Sequence, residues 1–219
     1  MSKGLYRCDL HSHPLCHDYY PITPNKASGV VLNEQDKEKI RWYVNWCIEE
    51  RELDAIAITD HDLIQSSLYA REYAKENSLP ITIITGAECE IFIRIGEQFK
   101  YCHILVLGVN EIPYHEIYMN EVEFALWVND IHALGGIVVM SHPAFSCVVF
   151  DIIAEYLDGF EVINRDVLYF TEGLDYRKED GSLLLPLKNS DYHYAPGYYQ
   201  DTPIEMNYLP KEWVDKLTW

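Results

Sequence analysis

The chain has 219 residues, enough for one core, and the expectation is a single domain over residues 1–219. Hydrophobic residues make up 48% of it, which sets it apart from disordered chains. Acidic residues outnumber basic ones 35 to 17, and the net charge of −18 repels a phosphate backbone. No basic run offsets that charge, so a long nucleic acid is not an expected partner.

The six cysteines are scattered, with no CxxC pair of the kind a zinc ribbon needs. The start shows no charged segment followed by a long apolar core. No apolar run approaches the roughly 20 residues of a membrane span. Neither a signal peptide nor a membrane is expected, and a reduced cytoplasm is the expected compartment.

Taken in order, Leu5–Leu10 reads as a first strand, followed by a polar and aromatic stretch, Pro14–Gln35. Ile40, Tyr43, Val44, Cys47, Ile48 and Arg51 then fall at helical spacing, the apolar members forming one stripe that Arg51 leaves. Ala55–Thr59 reads as a buried strand, Leu63–Asn77 as a helix stopped by Pro80, and Ile81–Thr85 as the next strand. Glu88–Ile95 and Phe99–Leu107, joined by Gly96–Gln98, read as a hairpin. A helix around Glu116–Leu134 is closed by Gly135–Gly136, and Ile137–Met140, Gly159–Ile163 and Leu183–Leu187 are further strands. Alternating strands and helices predict an α/β fold with a parallel sheet, closed or nearly closed into a barrel.

The histidines follow this pattern. His11 and His13 lie in DLHSH, His61 in ITDHD, His103 in CHILVLG, His142 in SHP and His193 in SDYH, each beside a strand. In βα barrels the C-terminal ends of the strands carry the site. Imidazole is the commonest metal ligand, and carboxylates accompany nearly every one of these histidines. The i, i+2 spacing in DLHSH puts both imidazoles on one side of an extended segment.

The ordered set DLHSH, ITDHD, GAE, HILVLG, SHP and SDYH resembles the polymerase-and-histidinol-phosphatase (PHP) family of metal-dependent phosphoesterases, from about residue 5 to about residue 195. The resemblance implies a distorted (β/α)7 TIM-like barrel, one strand short of the common eight, with its metal site at the C-terminal strand ends. It implies two or three divalent transition-metal ions, zinc, manganese or iron. His11, His13, Glu88 and Asp191 would hold the first ion, Asp18, His61 and His193 the second, and Glu88, His103 and His142 the third. Glu88 would bridge. A water acidified between two ions would attack phosphorus.

Several positions keep alternatives. His17 competes with Asp18, and Glu90, which points the same way along its strand, competes with Glu88. Asp60 and Asp62 flank His61, and at least one is expected to orient its imidazole, while Asp62 is the candidate general acid. Arg165, just after the Gly159–Ile163 strand, is either a phosphate clamp or a surface arginine paired with Asp166. Tyr19, Tyr20, Tyr192, Tyr194, Tyr198 and Tyr199 flank ligand positions and would stack on a base or sugar, or wall the pocket. His115 and His132 lack any motif and are expected on the surface or in a helix. The long loop after Asp18 and the short interval 143–159, which leaves no room for a capping domain, depart from many relatives.

The expected function is hydrolysis of a small phosphate mono- or diester. The rivals are a nuclease on short oligonucleotides, a C–N hydrolase using the same metals, and a non-catalytic metal-binding module. No GxSxG elbow supports a serine nucleophile.

Overall fold

The computed structural model describes residues 4–15, 30–163, 169–193 and 206–218. Its strands are β1 (Leu5–Asp9), β2 (Ser12–His13), β3 (Ala55–Ala57), β4 (Thr82–Ile84), β5 (Gly86–Ile95) and β6 (Gln98–Leu107), then β7 (Tyr118–Met119), β8 (Ile137–Met140), β9 (Gly159–Ile163), β10 (Leu185–Lys188), β11 (Tyr192–His193) and β12 (Asn207–Pro210). The α-helices are α1 (Glu34–Glu49), α2 (Gln65–Glu76), α3 (Glu121–Ala133), α4 (Cys147–Ile153) and α5 (Lys211–Asp215).

Two of the three long helices, α1 and α3, begin at an asparagine. Asn33 and Asn120 each accept a backbone N–H from the first turn, while Asp36 and Glu123 reach back to the cap N–H, which closes a capping box. The expected helix around Glu116 therefore starts later, because Tyr118 and Met119 first pair with Phe92 and Ile93 of β5. The predicted stripe on α1 is buried at Ile40, Tyr43, Val44 and Cys47.

The strands form a four-stranded sheet, ordered β12-β1-β3-β4, a six-stranded sheet, ordered β10-β9-β8-β6-β5-β7, and the β11-β2 pair. The β1-β3-β4 and β8-β9-β10 neighbours run parallel, whereas the β5–β6 hairpin and the β6–β8 pair are antiparallel. This is a mixed α/β fold with several parallel ladders. The expected continuous (β/α)7 barrel is not drawn by backbone pairing among the described residues. The edge of β1 is taken by β12, antiparallel, where a closed barrel would place β10.

Side chains bridge that seam. Asn207 of β12 mimics a strand: Lys188 N donates to its Oδ1 at 2.7 Å, and its Nδ2 donates to Lys188 O at 2.8 Å. Leu10 N donates to Asn189 Oδ1 at 3.0 Å. On the other side, Gly108 N donates to Thr85 O at 2.7 Å and joins β6 to the end of β4. Gly86 permits the close approach of β5 and β6 there, since a Cβ would meet Val106 O at 2.3 Å.

Burial follows the same plan. Cys8, Leu10, Ala57, Ile84, Leu105, Leu107, Val139 and Leu187 pack together, so β1, β3, β4, β6, β8 and β10 share one interior. Phe124, Trp127 and Ile131 of α3 cover the outer face of the six-stranded sheet, and Ile40, Tyr43 and Val44 of α1 cover the four-stranded one. No described helix is long and apolar enough to cross a membrane.

Candidate metal centre

The strand ends deliver their side chains to Glu88. This carboxylate is 1% exposed and pairs through the backbone with His61 in an isolated bridge between the β3 and β5 segments. Its Oε1 lies 3.2 Å from His11 Nε2, His103 Nδ1 and His142 Nε2. Its Oε2 lies 3.2 Å from His13 Nε2 and His61 Nδ1. Asp191 Oδ1 completes the inner side, 3.4 Å from His11 Nε2, His13 Nε2 and His193 Nδ1.

His11 and His13 extend β1, His61 follows β3, His142 follows β8 and Asp191 follows β10, as strand-end delivery requires. His103 differs, being interior to β6 opposite Glu90. It still reaches the cluster because the β5–β6 hairpin is ten residues per strand and passes the rim where the shorter strands stop. Three rim residues, Asp62, His142 and Asp191, have φ of 50°, 28° and 46°. Non-glycine residues in that region carry strain, which concentrates at functional sites.

The donor set suits cations. His11 Nε2 and His13 Nε2 face each other at 2.9 Å, and His103 Nδ1 faces His142 Nε2 at 3.1 Å. Lone pairs of neutral imidazoles and carboxylate oxygens repel at such distances unless a proton or a metal sits between them. Glu88 Oε1 and His13 Nδ1 are buried with no hydrogen-bond partner among the described residues. Within the cluster, His11–His13–Asp191, Glu88–His103–His142, His13–His61–His193 and His61–Glu90–His103 each bring their ligand atoms within 4.8 Å of one another. The first two triads bring together residues expected at the first and third ion sites, and the next places His13 beside His61 and His193.

Burial opposes ionisation of Glu88, but His103 and His11 outweigh it and hold the carboxyl well below its usual range. Burial likewise opposes protonation of His103, yet Glu88 and Glu90 raise it to about 10. His61 is pushed down to about 2 by burial, reinforced by its imidazole neighbours.

Glu161 is the residue that sequence reasoning missed. It is 1% exposed, and its Oε1 accepts from His11 Nδ1 at 2.8 Å and from Asn189 Nδ2 at 2.9 Å. Its Oε2 accepts from His142 N at 2.8 Å, so one carboxylate orients two members of the cluster. The available signal was a lone acid within the apolar run GFEVI.

The two aspartates flanking His61 diverge. Asp60 Oδ1 accepts from Leu15 N at 3.1 Å and so braces the β2 turn. Asp62 Oδ1 accepts from Glu90 N at 3.4 Å, and burial and then Glu90 push its carboxyl up to about 8. It lies within 4.8 Å of the ligand atoms of Cys89 and His115. His115 is thus not a surface residue: it is 4% exposed, its ring sits 4.3 Å from that of Trp127, and Nδ1 donates to Pro113 O. His132 does lie on a helix, paired with Asp158. Tyr192 does not face a ligand either, being buried against Tyr43 and Trp46. His17, Asp18, Arg165, Asp166, Tyr19, Tyr20, Tyr194, Tyr198 and Tyr199 lie outside the described residues.

No protein-family model and no curated protein matches the sequence. Solved structures do match the fold. One is an amidohydrolase from Chromobacterium violaceum, solved with sulfate and without metal, at TM-score 0.55 and 14% identity over 97% of both chains. Another, from Bifidobacterium adolescentis, is described as a metal-dependent phosphoesterase, at TM-score 0.50 and 15% identity over 96% of this chain and 94% of that one. At these identities the likeness is one of fold.

Proposed function

We propose that the protein is a metal-dependent hydrolase of small phosphate mono- or diesters, with a PHP-type centre. The observation that carries this is the Glu88 carboxylate, surrounded at 3.2 Å by nitrogens of five imidazoles from the β1, β3, β6 and β8 segments. The two fold neighbours, one described as an amidohydrolase and the other as a metal-dependent phosphoesterase, agree with a hydrolase scaffold.

His11, His13, Asp191, His61, His193, His103 and His142 would hold two or three zinc, manganese or iron ions around a bridging Glu88, with Asp18 as the further expected ligand. Such ions acidify a bound water and neutralise phosphate oxygens. The chain's own residues prepare that chemistry. Glu161 fixes His11 in the tautomer that presents Nε2 to the centre. Asp62, whose carboxyl burial and then Glu90 push up to about 8, is the proposed donor to the leaving oxygen. Arg165 is the proposed clamp on the phosphoryl group.

The second reading, C–N bond hydrolysis, rests on the description of the Chromobacterium neighbour. One experiment separates the two. Protein purified without chelator is analysed for metal, reconstituted with manganese, zinc or iron, and assayed on panels of phosphorylated metabolites and of amides. Turnover of a phosphate ester is expected. Turnover of amides alone favours the second reading, and bound metal with no turnover favours a binding module.

A further inference from the structure

The face of the β5–β6 hairpin that carries Glu88 does not end at the metal ligands. Its register pairs Glu90 with His103, Phe92 with Tyr101, and Arg94 with Phe99, and all share one face because side chains alternate along a strand. On the far edge β7 places Tyr118 beside Phe92. Beyond two rungs of ligands, the same surface therefore becomes aromatic. The rings form a continuous strip: Phe92 lies 5.0 Å from Tyr101 and 4.9 Å from Tyr118, and Tyr118 lies 5.1 Å from Phe99.

Three of the rings are open to solvent, with Tyr101 39%, Phe99 45% and Tyr118 58% exposed, and Phe92 between them is half-buried. It is also tied to the metal ligands. The Tyr101 hydroxyl contacts His103 Nε2, the ring nitrogen turned away from Glu88. Phe145, 65% exposed, sets its ring against His142 at 5.6 Å, and the Ser146 hydroxyl anchors that turn to Tyr101 O at 2.7 Å. Clustered aromatic rings left in water beside a cluster of candidate metal ligands are unfavourable unless a ligand covers them.

We infer that Phe92, Tyr101 and Tyr118 form a stacking platform for the planar ring of the substrate, and that the substrate is a nucleotide-sized phosphate ester. The inference rests on the proposal that phosphate binds at the metal centre. Geometry selects the spacing. Alternate residues on a strand are roughly 7 Å apart, so the Phe92 rung lies about 7 Å beyond His103 and about 14 Å beyond Glu88. A ring bonded directly to phosphate falls short of the platform, whereas a sugar between them closes the gap. A nucleobase offers the flat π-face that aromatic side chains stack on without reading its identity. The net charge of −18 then favours a mononucleotide over a long polyanion.

The test compares adenosine 5′-monophosphate with ribose 5-phosphate, which has the same phosphate and sugar but no ring. Affinity is measured by calorimetry on metal-loaded protein, and turnover on the same preparation. The wild type is expected to bind the nucleotide about tenfold more tightly. That ratio should fall several-fold in Phe92→Ala and Tyr118→Ala, survive in Tyr118→Phe, and be unaltered in Leu126→Ala on the exposed side of α3. Circular dichroism checks that each variant is folded. Equal affinities in the wild type, a ratio that survives both alanine substitutions, or no binding of either compound would overturn the platform. A platform-dependent ratio without turnover would sustain it while defeating the hydrolase proposal, and turnover of both esters with a ratio of one would do the reverse. If sedimentation shows a dimer that Tyr118→Ala dissociates while leaving the ratio intact, the strip is a subunit contact and the inference fails.

Discussion

Two carboxylates are buried almost equally, yet their surroundings differ. Asp9, at the end of β1, is 0% exposed. Its Oδ2 accepts from Arg51 Nη1 at 2.8 Å and its Oδ1 from Ser190 N at 3.0 Å. Burial works against the charge on Arg51, but Asp9 outweighs it and raises the guanidinium above its ordinary value. Glu88, only 1% exposed, has no guanidinium or ammonium partner among the described residues. Its neighbours are imidazole nitrogens that are themselves metal donors. One carboxylate is neutralised by the chain, and on the proposed function the other is the one that cations would complete. The first pattern belongs to stability, the second to function.

The sharpest way to break this comparison is Glu88→Gln. The amide keeps the volume and removes the charge. Metal content and turnover should both fall, the latter by more than the roughly 100-fold that loss of an outer partner costs. Elemental analysis and initial rates report this directly, and a variant that retains wild-type metal and rate contradicts the bridging role. Stabilisation by added metal, read as a rise in Tm in the wild type, should disappear with it.

Arg51→Met tests the other half. It leaves Asp9 buried without its cation, and a cost of about 3–5 kcal/mol is expected by denaturant unfolding. Metal content of the folded fraction should not change. The double variant Asp9→Asn with Arg51→Met should recover much of the loss, because no buried charge then remains unpaired. A double variant no more stable than the single one would show that Arg51 acts through packing on Trp46, over whose ring its guanidinium lies at 5.3 Å.

The two carboxylates were not equally legible in the sequence. Glu88 stands in GAE, between strand and hairpin, and the histidine motifs around it point to metal. The β5–β6 hairpin, the α1 stripe and the strand after α3 were readable from periodicity, since each follows the local spacing of its apolar residues. Asp9, Arg51 and Glu161 were not. Arg51 looked like the exit of a helical stripe, and its partner is 42 residues away. Glu161 lies 150 residues from His11. Such pairs are set by sheet order, which periodicity does not encode. Barrel closure failed to read for the same reason: β12 comes last in the chain and takes the edge of β1, with Asn207 bridging the seam through a side chain. The expectation of His115 on the surface or in a helix fails on both counts, because a histidine outside a motif carries no local signal of the ring that packs on it.

A third pair marks the weak end of the comparison. His132 on α3 and Asp158 meet at 2.8 Å, but they are 40% and 29% exposed. The hydrogen bond to Asp158 raises the imidazole above its ordinary 6.5, with burial opposing in part. A raised pKa means that the folded state holds the proton more tightly than the unfolded one. The stabilisation is therefore fully present below about pH 6.5 and is lost as pH rises through the folded value. Solvent screening limits it to less than about 1 kcal/mol. The expected result is that His132→Ala costs a few tenths of a kcal/mol at pH 5.5 and less at pH 8.5, with metal content unchanged at both. Denaturant unfolding of variant and wild type at the two pH values gives the difference. A larger loss at the higher pH would show that His132 contributes as a neutral packing group. A loss of metal would show that the ionic network around Glu88 extends through Asp158, whose Oδ2 also accepts from Val138 N at the foot of β8, the strand that ends in His142.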